Sequence, residues 1–214
     1  MALIQRQGIY GTYWGNTYDS SNTLTYDQMK VNAKYIYSYL LAQGWTANAI
    51  AGMLGNMQSE SAINSGRWQS DRVGGESEGH GYSLVQWTPY TKYTNWCAEN
   101  GYTDPSEMDV ALARIIYEVE NNLQWIATRT YPMTFKEFIK SEESPYYLAM
   151  VFITNYERPA EPNQPSRGTQ AESWYEYLTG ESPIVPVPPA TTKKTNKFPW
   201  AVMTKNIRQR RNFY

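Results

Sequence analysis

Glu60 closes an apolar stretch with helical spacing, Met53-Leu54-Gly55-Asn56-Met57-Gln58-Ser59-Glu60-Ser61. A helix C-terminus disfavours an anion through its dipole, and apolar neighbours disfavour it by desolvation, so both are expected to raise the Glu60 pKa. A carboxylic acid still protonated near neutrality can give its proton to a leaving glycosidic oxygen. Further on comes Gly79-His80-Gly81-Tyr82-Ser83-Leu84-Val85-Gln86-Trp87. Glycines let backbone approach a ligand, while Tyr82, Gln86 and Trp87 supply the flat faces and fixed amide groups that bind sugars. A hairpin with Leu84 and Trp87 in the core is the bland alternative. Asp71, Glu76 and Glu78 fall in the loop between the two stretches and are the candidates for a second carboxylate. One of them activating water from the opposite face, with carboxyls roughly 6.5–9.5 Å apart, would give inversion. With none, the sugar's own 6-hydroxyl is left as the attacking group. A solvated acidic loop is the bland alternative for all three, and the favoured one for at least two of them.

The counts exclude much else. There is one histidine, His80, and one cysteine, Cys97. Disulfide scaffolds, zinc ribbons and His-Glu-x-x-His sites are therefore excluded, no cofactor is implied, and no metal site is expected. Gly-Tyr-Ser83-Leu-Val is not a nucleophile elbow. Cys97 follows Trp96 in an amphipathic segment and reads as a small buried residue rather than half of a Cys–His pair. The chain of 214 residues is 41% hydrophobic and 15% aromatic, which excludes disorder throughout. It has no run long and apolar enough for a membrane span and no secretory leader pattern at its start. Charge is uneven. Residues 1–179 hold 12 basic against 19 acidic groups, and residues 180–214 hold 7 basic against Glu181 alone, so −7 and +6 make the net −1. An acidic body carries a basic tail.

The elements that must position these residues are mostly helices. Thr25-Tyr26-Asp27-Gln28 fits a capping box, and apolar spacing runs from Met29 to a stop at Gly44. Thr46 caps a second helix ending near Glu60. Gly52 and Gly55 inside it cost about 1 kcal/mol each in propensity, which a close-packed neighbour would explain. Residues 64–83 read as a long surface loop or short hairpin. Thr88-Pro89 reads as an N-cap with an N1 proline. Residues 107–127 have the clearest amphipathic period, Thr134-Phe135-Lys136-Glu137 is another capping box, Ser144-Pro145 opens a helix to about Tyr156, and helical period returns over 169–178 before Gly180. The segments are an aromatic N-terminal arm (1–23), an α-rich body (24–180), a Pro-rich linker (181–192) and a basic tail (193–214). Phe198, Trp200, Ile207 and Phe213 in the tail suit anchoring to a partner, with DNA phosphate as the alternative.

Glu60-Ser61 at a helix end, Gly81-Tyr82-x-Leu84-x-Gln86-Trp87 and Asn155-Tyr156-Glu157-Arg158-Pro159 occur in this order. Together they resemble the phage tail lysozyme family, and more closely the lysozyme domain of tail-tip lysins (tail knob peptidoglycan-degrading proteins) of small short-tailed phages of Gram-positive bacteria. Met29–Ala33, Met133–Glu137 and Glu161–Pro165 match as well, so the resemblance spans about residues 24–180. Ser83 stands where glycine is usual and Ser65 where proline is usual. The family is related to goose-type lysozymes and lytic transglycosylases.

The resemblance implies a mainly α, two-lobed lysozyme-like fold with a small β or loop element at its cleft. It implies a muramidase that cuts the peptidoglycan β-1,4 bond beside N-acetylmuramic acid, with lytic transglycosylase chemistry or a lysozyme-like structural scaffold as alternatives. It places the catalytic acid on Glu60, the Gly81–Trp87 segment on the cleft wall, and Tyr156 near the acid. Tyr82, Gln86, Trp87 and Tyr156 are then the sugar-binding candidates. The expected setting is the virion: synthesis in the host cytoplasm, packaging through tail or core proteins that hold residues 193–214, and action on the host wall during DNA entry. Tail-tip lysins of this type tend to carry a second, metal-dependent peptidase domain, for which residues 181–214 are too short and lack histidine.

Overall fold

The computed structural model describes residues 4–6, 8–12, 23–69 and 79–182, with side chains described for 8–12, 23–69 and 79–182. Contacts group the chain into Met1–Ile184 and Val185–Tyr214. The basic tail, most of the Pro-rich linker and residues 13–22 lie outside the described residues, as do Asp71, Glu76 and Glu78.

The described residues form a mainly helical, lysozyme-like body. The described part of the N-terminal arm is a hairpin, β1 (Ile4–Arg6) paired antiparallel with β2 (Ile9–Gly11). It is tied to α1 (Tyr26–Ala42), where the buried Asn32 side chain accepts from the Tyr10 amide and donates to the Tyr10 carbonyl. The Thr25–Gln28 capping box is formed in full.

Helix α2 (Ala47–Ser61) starts from Thr46, whose hydroxyl accepts from the Ala49 amide. Residues 49–57 are all buried, so this helix is enclosed on every side, as a central core helix must be. Its glycines are needed for that. A Cβ on Gly52 would come within 2.8 Å of Leu148, and one on Gly55 would overlap the Arg167 carbonyl and come within 2.8 Å of the Ala171 amide. Those neighbours belong to α6 (Pro145–Phe152) and α7 (Pro165–Thr179), which pack closely on α2.

Between them come α3 (Thr91–Glu99), α4 (Met108–Asn121) and the short α5 (Phe135–Phe138), opened by its Thr134–Glu137 capping box. Three boundaries differ from expectation. Helix α4 stops at Asn121 because Asn122 turns left-handed at φ 51°, leaving Leu123 and Ile126 exposed beyond it. Thr88-Pro89 precedes the turn that opens α3, and Tyr90 occupies the cap position. Helix α6 gives way at Ile153 to a π-helical turn, Ile153–Glu157, closed by a left-handed Arg158. Residues 63–68 also depart from a surface loop: Ile63, Asn64, Ser65 and Trp68 are buried. Trp68 bridges Tyr82, which bridges Trp87, giving a small β element beside α2.

Candidate functional site

The end of α2 opens into a cleft of about 630 Å³. Ser59 and Glu60 line it from α2. Gln69, Val85, Gln86, Trp87 and Thr88 line it from the β element, Lys92 from α3, and Gln124, Glu157, Arg158 and Pro159 from the opposite side. Ser61 ties the junction, its hydroxyl donating to the carbonyls of Met57 (3.1 Å) and Leu84 (2.8 Å), so the helix end is joined to the Gly81–Trp87 segment.

Glu60 is 22% exposed and its Oε1 lies 2.6 Å from Arg167 Nη2. The helix end therefore delivers this carboxyl beside a guanidinium, which opposes the desolvation by apolar neighbours that the sequence suggests. Arg167 is buried on α7. Its Nε donates to Gln164 Oε1 (2.8 Å) and its Nη1 to Asn56 Oδ1 (3.2 Å), while Asn56 Nδ2 donates to the carbonyls of Gly52 and Ala149. One network thus binds α2, α6 and α7 and fixes Glu60 at the cleft wall.

Glu157 is the second carboxyl in the cleft. Burial, and then the negative charge of Glu60, push its pKa well above the usual carboxylate range. Its Oε1 is buried and has no hydrogen-bond partner. Asp71, Glu76 and Glu78 lie outside the described residues, and among the described residues Glu157 is the other carboxyl that lines the cleft with Glu60. The Asn155–Pro159 motif contained it, but no local pattern marked it as facing this cleft.

Beneath the cleft floor sits a third carboxyl, Glu118 of α4, 1% exposed. It accepts from Trp87 Nε1 (3.0 Å), Arg114 Nε (2.9 Å) and the Tyr156 hydroxyl (2.5 Å). Burial raises its pKa against those three donors.

The sugar-binding candidates separate on this geometry. Gln86 and Trp87 line the cleft with Glu60. Gln86 holds φ 51°, and its Nε2 donates to the carbonyls of Arg67 (3.0 Å) and Ser83 (2.8 Å), so its amide plane is locked. Trp87 is 3% exposed and stacks on Tyr93 at 4.4 Å. Tyr82 is fully enclosed, its ring 4.6 Å from Trp68, so it supports the wall from behind and has no face for a sugar. Tyr156 is likewise buried, and its hydroxyl meets Glu118 instead of Glu60. Cys97 is fully buried and its thiol is pushed up to about 11 by desolvation, which leaves little thiolate for nucleophilic chemistry. Among the described residues no group of three His, Cys, Asp or Glu side chains is arranged to hold a metal, and no helix is long and apolar enough to cross a membrane.

Comparison with known sequences decides the family. The family model described as "Phage tail lysozyme" matches residues 31–178, which include every residue that lines this cleft. The chain belongs to the phage tail lysozyme family. The chain is also 57% identical over 164 residues to "Morphogenesis protein 1" of Bacillus phage B103. The match covers 77% of the chain and 44% of that relative, so the chain spans less than half the length of the relative it matches.

Proposed function

We propose that this protein is a virion-associated peptidoglycan hydrolase that cuts the glycan β-1,4 bond next to N-acetylmuramic acid, with Glu60 as the proton donor. The observation that carries the proposal is the delivery of Glu60 by α2 into a cleft that also holds the Glu157 carboxyl, with the buried Arg167 paired to Glu60 from α7. Arg167 orients the Glu60 carboxyl. The locked Gln86 amide and the Trp87 edge line the sugar path. The proton passes to the leaving oxygen as the C1–O bond breaks, and an incoming hydroxyl completes the reaction. Water as that hydroxyl makes the enzyme a lysozyme, and the sugar's own 6-hydroxyl makes it a lytic transglycosylase.

The family and the name of the phage B103 relative support a place in the particle, where the enzyme opens the host wall during DNA entry. Residues 193–214 are the segment proposed to hold tail or core proteins, with DNA as the alternative partner. The test is digestion of purified peptidoglycan by the wild type and Glu60→Gln, with mass spectrometry of the released sugars. Wild-type release of muramic-acid-terminated products, reduced about 10²–10⁴-fold in Glu60→Gln, is expected. Anhydro-sugar products would assign the transglycosylase reaction. Near-wild-type release by Glu60→Gln would sink the role of Glu60, and a wild type inert on cell walls would favour the scaffold reading.

A further inference from the structure

We propose that Glu157 is a positioning residue for Glu60, and that the two carboxyls operate as a pair holding a single proton. The inference rests on the reading of Glu60 as the proton donor. Both side chains line one cleft, from elements far apart in the chain. Glu157 sits at the end of the π-helical turn, a distortion that recurs at functional sites, where it sets a side chain out of plain α register. Its Oε1 is buried with no hydrogen-bond donor, a costly condition for an anion and a tolerable one for a protonated carboxyl.

The charged groups that act on Glu157 are Glu60 from α2, Arg167 from α7, Glu118 from α4 and the adjoining Arg158. Two of the four are carboxylates. Arg167 gives its Nη2 to Glu60, so the proton of the pair rests on Glu157. Two carboxyls that line one cleft, one of them with an oxygen that has no donor, are held at lower cost with one proton between them than with two charges.

The cycle balances. The proton shifts from Glu157 to Glu60, and Glu60 gives it to the glycosidic oxygen as that oxygen takes the electron pair of the breaking C1–O bond. The attacking hydroxyl, from water or from the sugar, forms the new bond to C1 and returns its own proton to the pair. The pair thus ends with the single proton it began with, whichever hydroxyl attacks.

The test compares full-length wild type, Glu157→Gln and Glu157→Asp for muropeptide release from acid to mildly alkaline pH, with thermal melts of each. Glu157→Gln is expected to melt no lower than wild type. Its activity is expected to drop about tenfold at neutral pH, with the alkaline limb displaced toward acid by about one pH unit, because a one-proton titration changes tenfold per unit. Glu157→Asp should return part of the alkaline limb. A Glu157→Gln profile superimposable on wild type would overturn the proposal, and so would a loss that is uniform across pH, which marks a structural role only. Should Glu157→Gln not fold, carboxyl ¹³C NMR of the labelled wild type reads the same pair: two coupled steps support the proposal and independent single steps overturn it. Failure of the underlying reading looks different, as active Glu60→Gln or a wild type that releases no sugar, and takes this inference with it.

Discussion

Replacing Tyr156 by Phe removes one oxygen and nothing else, at a site where the structure and the sequence disagree about its purpose. The hydroxyl donates to Glu118 Oε2 at 2.5 Å, with both residues about 1% exposed. A hydrogen bond to a charged group contributes about 1.5–3 kcal/mol. Glu118 keeps Trp87 Nε1 and Arg114 Nε on its other oxygen, and its pKa, already raised by burial, allows it to take up a proton and limit the damage. The expected loss is about 2 kcal/mol. For a domain of this size about 1 kcal/mol shifts Tm by roughly 2–4 °C, so the melt should fall by about 4–8 °C. Turnover measured well below that melt should drop less than about threefold, because the hydroxyl does not reach Glu60. Paired measurements of CD melting and muropeptide release check this. A variant that melts within about 1 °C of wild type while losing about 10²-fold in rate would refute the reasoning and put Tyr156 back beside the acid.

Arg167→Met should cost about 3 kcal/mol, less than a fully buried pair because Glu60 is 22% exposed, and should abolish activity even where the fold persists; denaturant unfolding reads the first and sugar release the second. Gly55→Ala should destabilise by about 3 kcal/mol in the same assay, since its Cβ meets the backbone of Arg167 and Ala171 and pushes α7 off α2. Glu118 and Glu157 both have folded-state pKa values raised above 4.5. The folded state therefore binds more protons than the unfolded state above that pH, and stability falls as pH rises from 4.5 through the raised values; this slope should be shallower in Glu157→Gln. Cys97 should resist iodoacetamide at neutral pH in the folded protein, with activity unchanged, as mass spectrometry and the release assay would show.

Local signals were legible wherever neighbours in sequence decide the outcome. The capping boxes at Thr25 and Thr134 use partners three residues away, so the sequence states them outright. Glu60 at the end of an apolar helix, and the glycines that demand a close neighbour, were legible for the same reason. The neighbour itself was not. Nothing about Pro165-Ser166-Arg167 marks its arginine as the partner of Glu60, because the contact joins two helices that are remote in sequence. Tyr82 and Tyr156 misled because aromatics beside glycines or charges read as exposed, whereas Trp68 and Glu118, both distant in sequence, pack against them. The overrun past Asn121 has a simpler cause. Apolar period continues through Leu123 and Ile126, but a single left-handed Asn122 ends the helix first.

The Arg167 network also sets an order of assembly. Asn56 and Arg167 are 111 positions apart, and closing a loop of that length costs about 4 kcal/mol of chain entropy. The capped helices α1 and α2 need no such closure to begin forming. The cleft wall that carries Glu60 can therefore take shape early, yet its carboxyl has no guanidinium until the last helix docks. A chain that ends before Pro165 would hold Glu60 without its counter-charge, so the ion pair closes only once α7 is present.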